Sequence, residues 1–299
     1  MNKTIALNVF NEVRQFLLST GKKPTIILKQ TEHFGDTLYA TPILRHLRLK
    51  YPGAAIAFVT GNKYADIHQY NPHIDKLFTV PVMSDWRKDY YEKVISLPDI
   101  DIKLAPAVVF GTFVPSMKWS LPNIFDQYLT NAGIPDLQLL GGRQPVAIPD
   151  QQDEQWVTDF LTRNRVDPRI AIALEYHSYS HSNGWSPSIF QEFCIGATNK
   201  FWVICLAAQN EGLFTHTVDG RGMSWRRSAA LLNRIRGIVG VSSGMSVLAA
   251  SCPNKPFIYE INCPDSISIL KMGFTENCRS LINLKPWEVV DLVHSRIRS

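Results

Sequence analysis

Apolar and polar residues fall in blocks along this chain. Short apolar runs read as strands, and longer segments with an apolar residue every three to four positions read as helices. Thr25–Leu28 predicts a strand. A helix follows over Thr37–Lys50, with Leu38, Ile43, Leu44 and Leu47 at helical spacing and Tyr51-Pro52-Gly53 as its stop. Ala54–Val59 predicts a second strand, and Asn62–Tyr70 a short helix stopped at Asn71-Pro72. Ile74–Val82 and Lys93–Leu97 are further strand candidates, and Trp119–Ala132 reads as a helix closed by Gly133. At the start, Met1–Leu18 reads as an amphipathic helix, its apolar residues interrupted by Asn8, Asn11, Glu12, Arg14 and Gln15.

Leu137–Asp153 changes character. It holds Gly141-Gly142, Pro145 and Pro149 and reads as a linker. Beyond it the alternation resumes: helix Asp153–Arg163, strand Ile170–Leu174, helix Pro187–Thr198, strand Trp202–Ala207 and helix Trp225–Arg234. Strand Ile238–Val241, helix Gly244–Ser251, strand Pro256–Ile261 and the amphipathic helix Pro286–Ile297 complete it. Strand, helix, strand in repetition implies parallel sheets covered on both faces. The chain therefore reads as α/β in two halves, 1–150 and 151–299, with the last helix a candidate to pack back on the first half. A cleft between two such halves is a default ligand site.

Composition narrows the partners. The 299 residues are 45% apolar and 19% charged, with a formal net charge of +5. That mild excess suits an anionic ligand such as a nucleotide, or an acidic membrane surface. No Lys/Arg-rich block argues for nucleic acid. No apolar run approaches the roughly 20 residues that cross a bilayer, so a soluble chain is expected, with any membrane contact peripheral. The five cysteines, Cys194, Cys205, Cys252, Cys263 and Cys278, form no Cys-x-x-Cys pair and read as reduced buried thiols.

Two strand-to-helix junctions carry the candidate chemistry. In His33-Phe-Gly35-Asp36-Thr37, Asp36 is either a helix cap or a general base for a sugar hydroxyl. Gly35 beside it permits a tight turn and leaves room for an incoming group. In Val241-Ser242-Ser243-Gly244-Met-Ser246, a buried strand runs into a helix start whose amides and dipole suit a diphosphate, and plain serine capping explains the same residues. The loop after strand Ile170–Leu174 concentrates Glu175, His177, Asn183 and Trp185. Trp185 reads equally as a packing anchor. Arg221, Arg226 and Arg227 are candidate phosphate clamps or a solvated helix face. Neither Gly-x-Gly-x-x-Gly nor a P-loop follows the first strand. Asp99-Ile100-Asp101 has the form of a metal-binding carboxylate pair, a spacing common by chance.

Gly35-Asp36…Thr41-Pro42…Leu44…Leu47…Tyr51-Pro52, then Ile56…Val59 and Asn71-Pro72…Ile74-Asp75, resembles the opening of glycosyltransferase family 9, which contains the ADP-heptose:lipopolysaccharide heptosyltransferases. Trp185 with Pro187 and Phe190, and Ser243-Gly244…Leu248-Ala249-Ala250, resemble its later motifs. The resemblance implies a GT-B fold, two Rossmann-like domains with parallel sheets facing across a cleft. It implies inverting sugar transfer with no metal or other cofactor, from a nucleotide-sugar to a surface glycan or lipid-linked acceptor. On it Asp36 becomes the base, with His33, Gly35 and Thr37 on the acceptor side. Ser242, Ser243, Gly244, Ser246, Asn183, Trp185, Glu175, His177 and Arg221 become donor-side residues. Three positions depart from the family: its Asp is Ser242, its His is Val247, and its Lys two residues before the tryptophan is Asn183. A non-catalytic nucleotide- or sugar-binding protein is the alternative those departures suggest. A nucleotide-sugar epimerase shares the fold but has no motif here.

Overall fold

Thr25-Ile-Ile-Leu and Ala55-Ile-Ala-Phe-Val have no polar face, so their strands need cover on both sides. In the computed structural model, which describes residues 12–13, 15–16, 18–21, 25–30, 33–80, 107–111, 139–178, 185–263 and 277–299, they have it: β2 is buried along its whole length. The chain divides into two units, Met1–Arg143 and Gln144–Ser299, each built on its own parallel sheet.

The first unit orders β1 (Thr25–Gln30), β2 (Ala55–Gly61), β3 (Lys76–Val80) and β4 (Ala107–Gly111) as β3-β2-β1-β4, every pair parallel. One face packs Ile27, Ala57, Val59, Phe78 and Val80 against Val13 and Phe16 of the leading segment, whose described residues 12–13, 15–16 and 18–19 are helical. Helix α1 (Phe34–Lys50) joins β1 to β2. It starts three residues before the expected Thr37, because buried Phe34 anchors an extra first turn 6.0 Å from the Tyr64 ring. Tyr64 belongs to Asn62–His68, which winds as a 3₁₀ rather than an α-helix. Gly141 and Gly142, both at φ +81°, turn the end of this unit onto α1. There Arg45 donates to the Gly142 carbonyl at 2.7 Å, and a Cβ on Gly141 would lie 2.9 Å from the Arg45 side chain. The expected strand Lys93–Leu97, helix Trp119–Ala132 and pair Asp99/Asp101 lie outside the described residues.

The second unit arranges β5 (Ala171–Glu175), β6 (Trp202–Cys205), β7 (Val218–Asp219), β8 (Gly237–Gly240), β9 (Phe257–Ile261) and β10 (Cys278–Leu281) as β10-β9-β8-β5-β6-β7, again all parallel. Counted from β5 this is the doubly wound 3-2-1-4-5-6 order. Its helices are α2 (Gln151–Arg163), α3 (Pro187–Ala197), α4 (Trp225–Leu232), α5 (Gly244–Ser251) and α6 (Pro286–Arg298). Residues 144–150, read as linker, go with this unit: Gln144 donates to the Ala250 carbonyl at 3.3 Å and Asp150 caps α2. The last helix sets Val289, Val290, Val293 and Ile297 into a core shared with Phe190, Phe193, Leu174 and Tyr259. The five cysteines are buried and reduced. None of the described helices is long and apolar enough to cross a membrane.

Candidate functional site

In each sheet one strand, β1 or β5, has the strands that follow it in sequence on one side and a later strand, β4 or β8, on the other. Ligand crevices in open parallel sheets form outside the carboxyl ends of the strands at that point. In the first unit the strands are β1 and β4, and β1 exits into His33–Asp36. In the second they are β5 and β8, and they exit into Glu175–His177 and Ser242–Gly244. Both junctions singled out in the sequence thus stand at the switch point of their own sheet.

Asp36 is not the cap of its helix. The N-cap is His33, whose side chain makes no capping bond, and Asp36 sits three residues on, inside the first turn. A carboxylate there gains from the positive end of the helix dipole. Its side chain is 16% exposed, with Oδ2 3.6 Å from His33 Nδ1. Gly35 is helical rather than left-handed, so its contribution is its lack of a side chain and not a tight turn. Thr37 is fully buried and donates its hydroxyl to the Phe34 carbonyl at 2.8 Å, which braces the first turn.

In the second unit Ser243 caps α5, its Oγ accepting the Met245 amide at 3.1 Å. Ser242 and Gly244 are half-buried on either side of it. Ser246 is buried and donates to the Val241 carbonyl at 3.4 Å, so it ties the helix back to the strand exit. Val247 is buried in the helix. Gly240 is obligatory: a Cβ there would fall 1.9 Å from the Glu175 carbonyl oxygen, where β8 closes on β5.

Beside this turn lies a polar cluster. Burial, with Glu211 close by, pushes the Glu175 carboxyl well above the usual carboxylate range. His177 Nδ1 lies 2.9 Å from Glu211 Oε1, and the Tyr176 hydroxyl donates to the Gly212 carbonyl at 2.9 Å. Burial and the same Glu211 carboxylate push the Tyr176 hydroxyl up as well. Arg221 is already engaged. Its Nε and a terminal nitrogen grip both oxygens of Asp219 at 2.9 Å, and the other terminal nitrogen donates to the Glu211 carbonyl. Arg226 Nε lies 3.0 Å from Asp153 Oδ2, while Arg227 lies 3.9 Å from Asp153 Oδ1 and stacks on Trp156. The candidate clamps therefore all pair with the chain's own carboxylates. Trp185 packs in the core, 9% exposed, with its ring edge-on to Phe190 at 5.1 Å. Asn183 lies outside the described residues.

Glu211 escapes a reading of the sequence. The available signal is its place as the first acid after strand β6, at the same sheet edge as Glu175. Among the described residues no three His, Cys, Asp or Glu side chains gather as a metal-binding group.

No family model matches the chain, and no curated protein matches it in sequence. Its fold does have solved counterparts. A glycosyl transferase family 9 protein from Veillonella parvula superposes with a TM-score of 0.69 at 14% identity, over 92% of this chain and 97% of that one. E. coli ADP-heptose LPS heptosyltransferase II gives 0.67 at 12% identity, over 92% and 98%. E. coli heptosyltransferase WaaC with ADP gives 0.59 at 14% identity, over 91% and 99%. The chain has the α/β, GT-B fold of these glycosyltransferases.

Proposed function

We propose that this protein is an inverting, metal-independent glycosyltransferase that moves heptose or a related sugar from a nucleotide-sugar to a bacterial surface glycan or its lipid-linked precursor. The observation that carries this reading is placement. Asp36 and the Ser242–Gly244 turn stand at the switch points of two parallel sheets in a chain with the heptosyltransferase fold.

Asp36 takes the proton of the acceptor hydroxyl as that oxygen attacks the anomeric carbon from the face opposite the diphosphate. The bond from the anomeric carbon to the diphosphate oxygen breaks, and its charge is received by the amides and dipole at the start of α5. Asn183, Glu175, His177 and Glu211 belong to the donor side on this reading. Serine hydroxyls and backbone amides replace the charged side chains the family uses, so the diphosphate is held by neutral donors. The protein works at the cytoplasmic face, and its positive balance favours an acidic inner membrane.

The test is a thermal-shift screen against ADP-, GDP-, UDP- and CDP-sugars, followed by transfer assays with the best donor in the presence of a chelator. A ligand at 100 times its dissociation constant adds about 2.7 kcal/mol to stability. Transfer that survives chelation and is lost in Asp36→Asn supports the reading. Wild-type transfer rates in that variant sink the base assignment, and binding without turnover across the panel sinks the enzyme.

A further inference from the structure

Among the described residues, three helices carry an acid three residues after the N-cap, the place from which a carboxylate normally reaches back to the N-cap amide. Two do so. Asp153 Oδ2 accepts from the Asp150 amide at 3.3 Å at the start of α2, and Glu288 Oε2 accepts from the Lys285 amide at 2.7 Å at the start of α6. The third is Asp36, and it behaves differently. Its helix start has no capping box, and the side chain of His33, at the cap position, makes no capping bond. Instead the two side chains approach each other, Nδ1 to Oδ2 at 3.6 Å. Histidine is a poor capping residue, so helix stability does not account for it here. The carboxylate is 16% exposed and the imidazole 41%, so the ring is the more accessible of the two.

We infer that His33 is the positioning residue for Asp36. With Nδ1–H directed at Oδ2, the imidazole fixes the carboxylate's rotation and leaves Oδ1 as the oxygen that accepts the acceptor's proton. Hydrogen bonds of catalytic groups are often long before substrate binds and tighten in the productive complex, and 3.6 Å is within reach of that tightening. The positioning role rests on Asp36 being the base.

Two measurements separate the outcomes. The first needs no substrate: the ring nitrogens of His33 are observed by 15N NMR in the wild type and in Asp36→Ala. A carboxylate at Nδ1 selects the Nδ1–H tautomer. The wild type shows that form, and Asp36→Ala reverts to Nε2–H. An unchanged tautomer overturns the pairing, whatever the donor proves to be. The second follows transfer with ADP-heptose and heptose-free lipopolysaccharide. His33→Ala lowers kcat by about tenfold, less than the 10²–10⁴ contributed by a general base itself, with KM for the nucleotide-sugar unchanged. His33→Asn, whose amide retains a donor near Nδ1, recovers most of the loss. Full kcat in His33→Ala, or KM and kcat falling together without recovery in His33→Asn, overturns the positioning role. Undiminished transfer in Asp36→Asn instead overturns the base assignment and leaves the tautomer result standing.

Discussion

The Thr41 hydroxyl donates to the Leu38 carbonyl at 2.7 Å, inside the helix that carries Asp36. That carbonyl is the acceptor Pro42 cannot serve, because proline at this position has no amide to return to residue 38. Thr41-Pro42 is therefore a unit in which the hydroxyl stands in for the missing backbone donor.

Replacing Thr41, fully buried, with isosteric valine strands the Leu38 carbonyl. A loss of about 1–2 kcal/mol is expected, read as a shift in the midpoint of urea unfolding. Pro42→Ala restores an amide to the same acceptor. The double variant Thr41→Val/Pro42→Ala should be less destabilised than the sum of its parts, a coupling the double-mutant cycle measures directly.

Gly240 admits no side chain. A methyl group at this position would meet the Glu175 carbonyl oxygen at 1.9 Å, so Gly240→Ala must push β8 off β5. The expected cost is about 3 kcal/mol or more, in the class of strained backbone substitutions. The check is thermal unfolding together with nucleotide-sugar binding, since the same displacement moves the Ser242–Gly244 turn.

His68 is buried with its ring edge-on to Phe58 at 5.0 Å and neither nitrogen bonded, and burial lowers its pKa to about 3. The folded state holds this imidazole neutral while the unfolded chain binds a proton below its ordinary value near 6.5. The unfolded state thus binds more protons between those limits, so stability falls as the pH drops from 6.5 toward 3 and is insensitive to this group above 6.5. The slope from one such group is at most about 1.4 kcal/mol per pH unit. His68→Leu should remove that component, and chemical denaturation at pH 5 and pH 8 in both proteins checks it.

Arg226 pairs with the nearly buried Asp153, itself part of the α2 cap. Arg226→Met should cost about 1–3 kcal/mol by removing the nearer of the two cations beside a buried carboxylate. Nucleotide-sugar affinity, corrected for any unfolded fraction, should stay within about twofold, since its guanidinium serves the fold rather than the donor. Calorimetric titration of the folded variant decides between the two roles.

Much of this molecule is legible along the chain because its main signals are local. Apolar runs, their spacing and the Pro/Gly stops locate β1, β2, β5, β6, β8 and β9, and the parallel α/β class follows from their alternation. What escapes is short or distant. β7 spans two residues and β10 reads Cys-Arg-Ser-Leu, so neither offers a periodic pattern. The start of α1 depends on Phe34 meeting Tyr64, a contact that spacing cannot show. Asp36 stands out by its junction, but its place inside the helix rather than at the cap does not. Arg226 and Arg227 look like free cations because Asp153, their partner, lies far back in the sequence.

The parallel pairing of β1 with both β2 and β4 also joins a near contact to a distant one. Thr25 meets Ala55 on one side but Ala107 on the other, so the second contact closes much the longer loop. Pairings of high sequence separation slow folding, because the loop must close before the contact can stabilise it. The β1–β4 pairing beside Asp36 is therefore the long-range contact of that sheet, and pulsed hydrogen exchange during refolding should show it protected no earlier than β1–β2. The acid of this helix thus depends on a strand pairing drawn from far along the chain, not on its local turn alone.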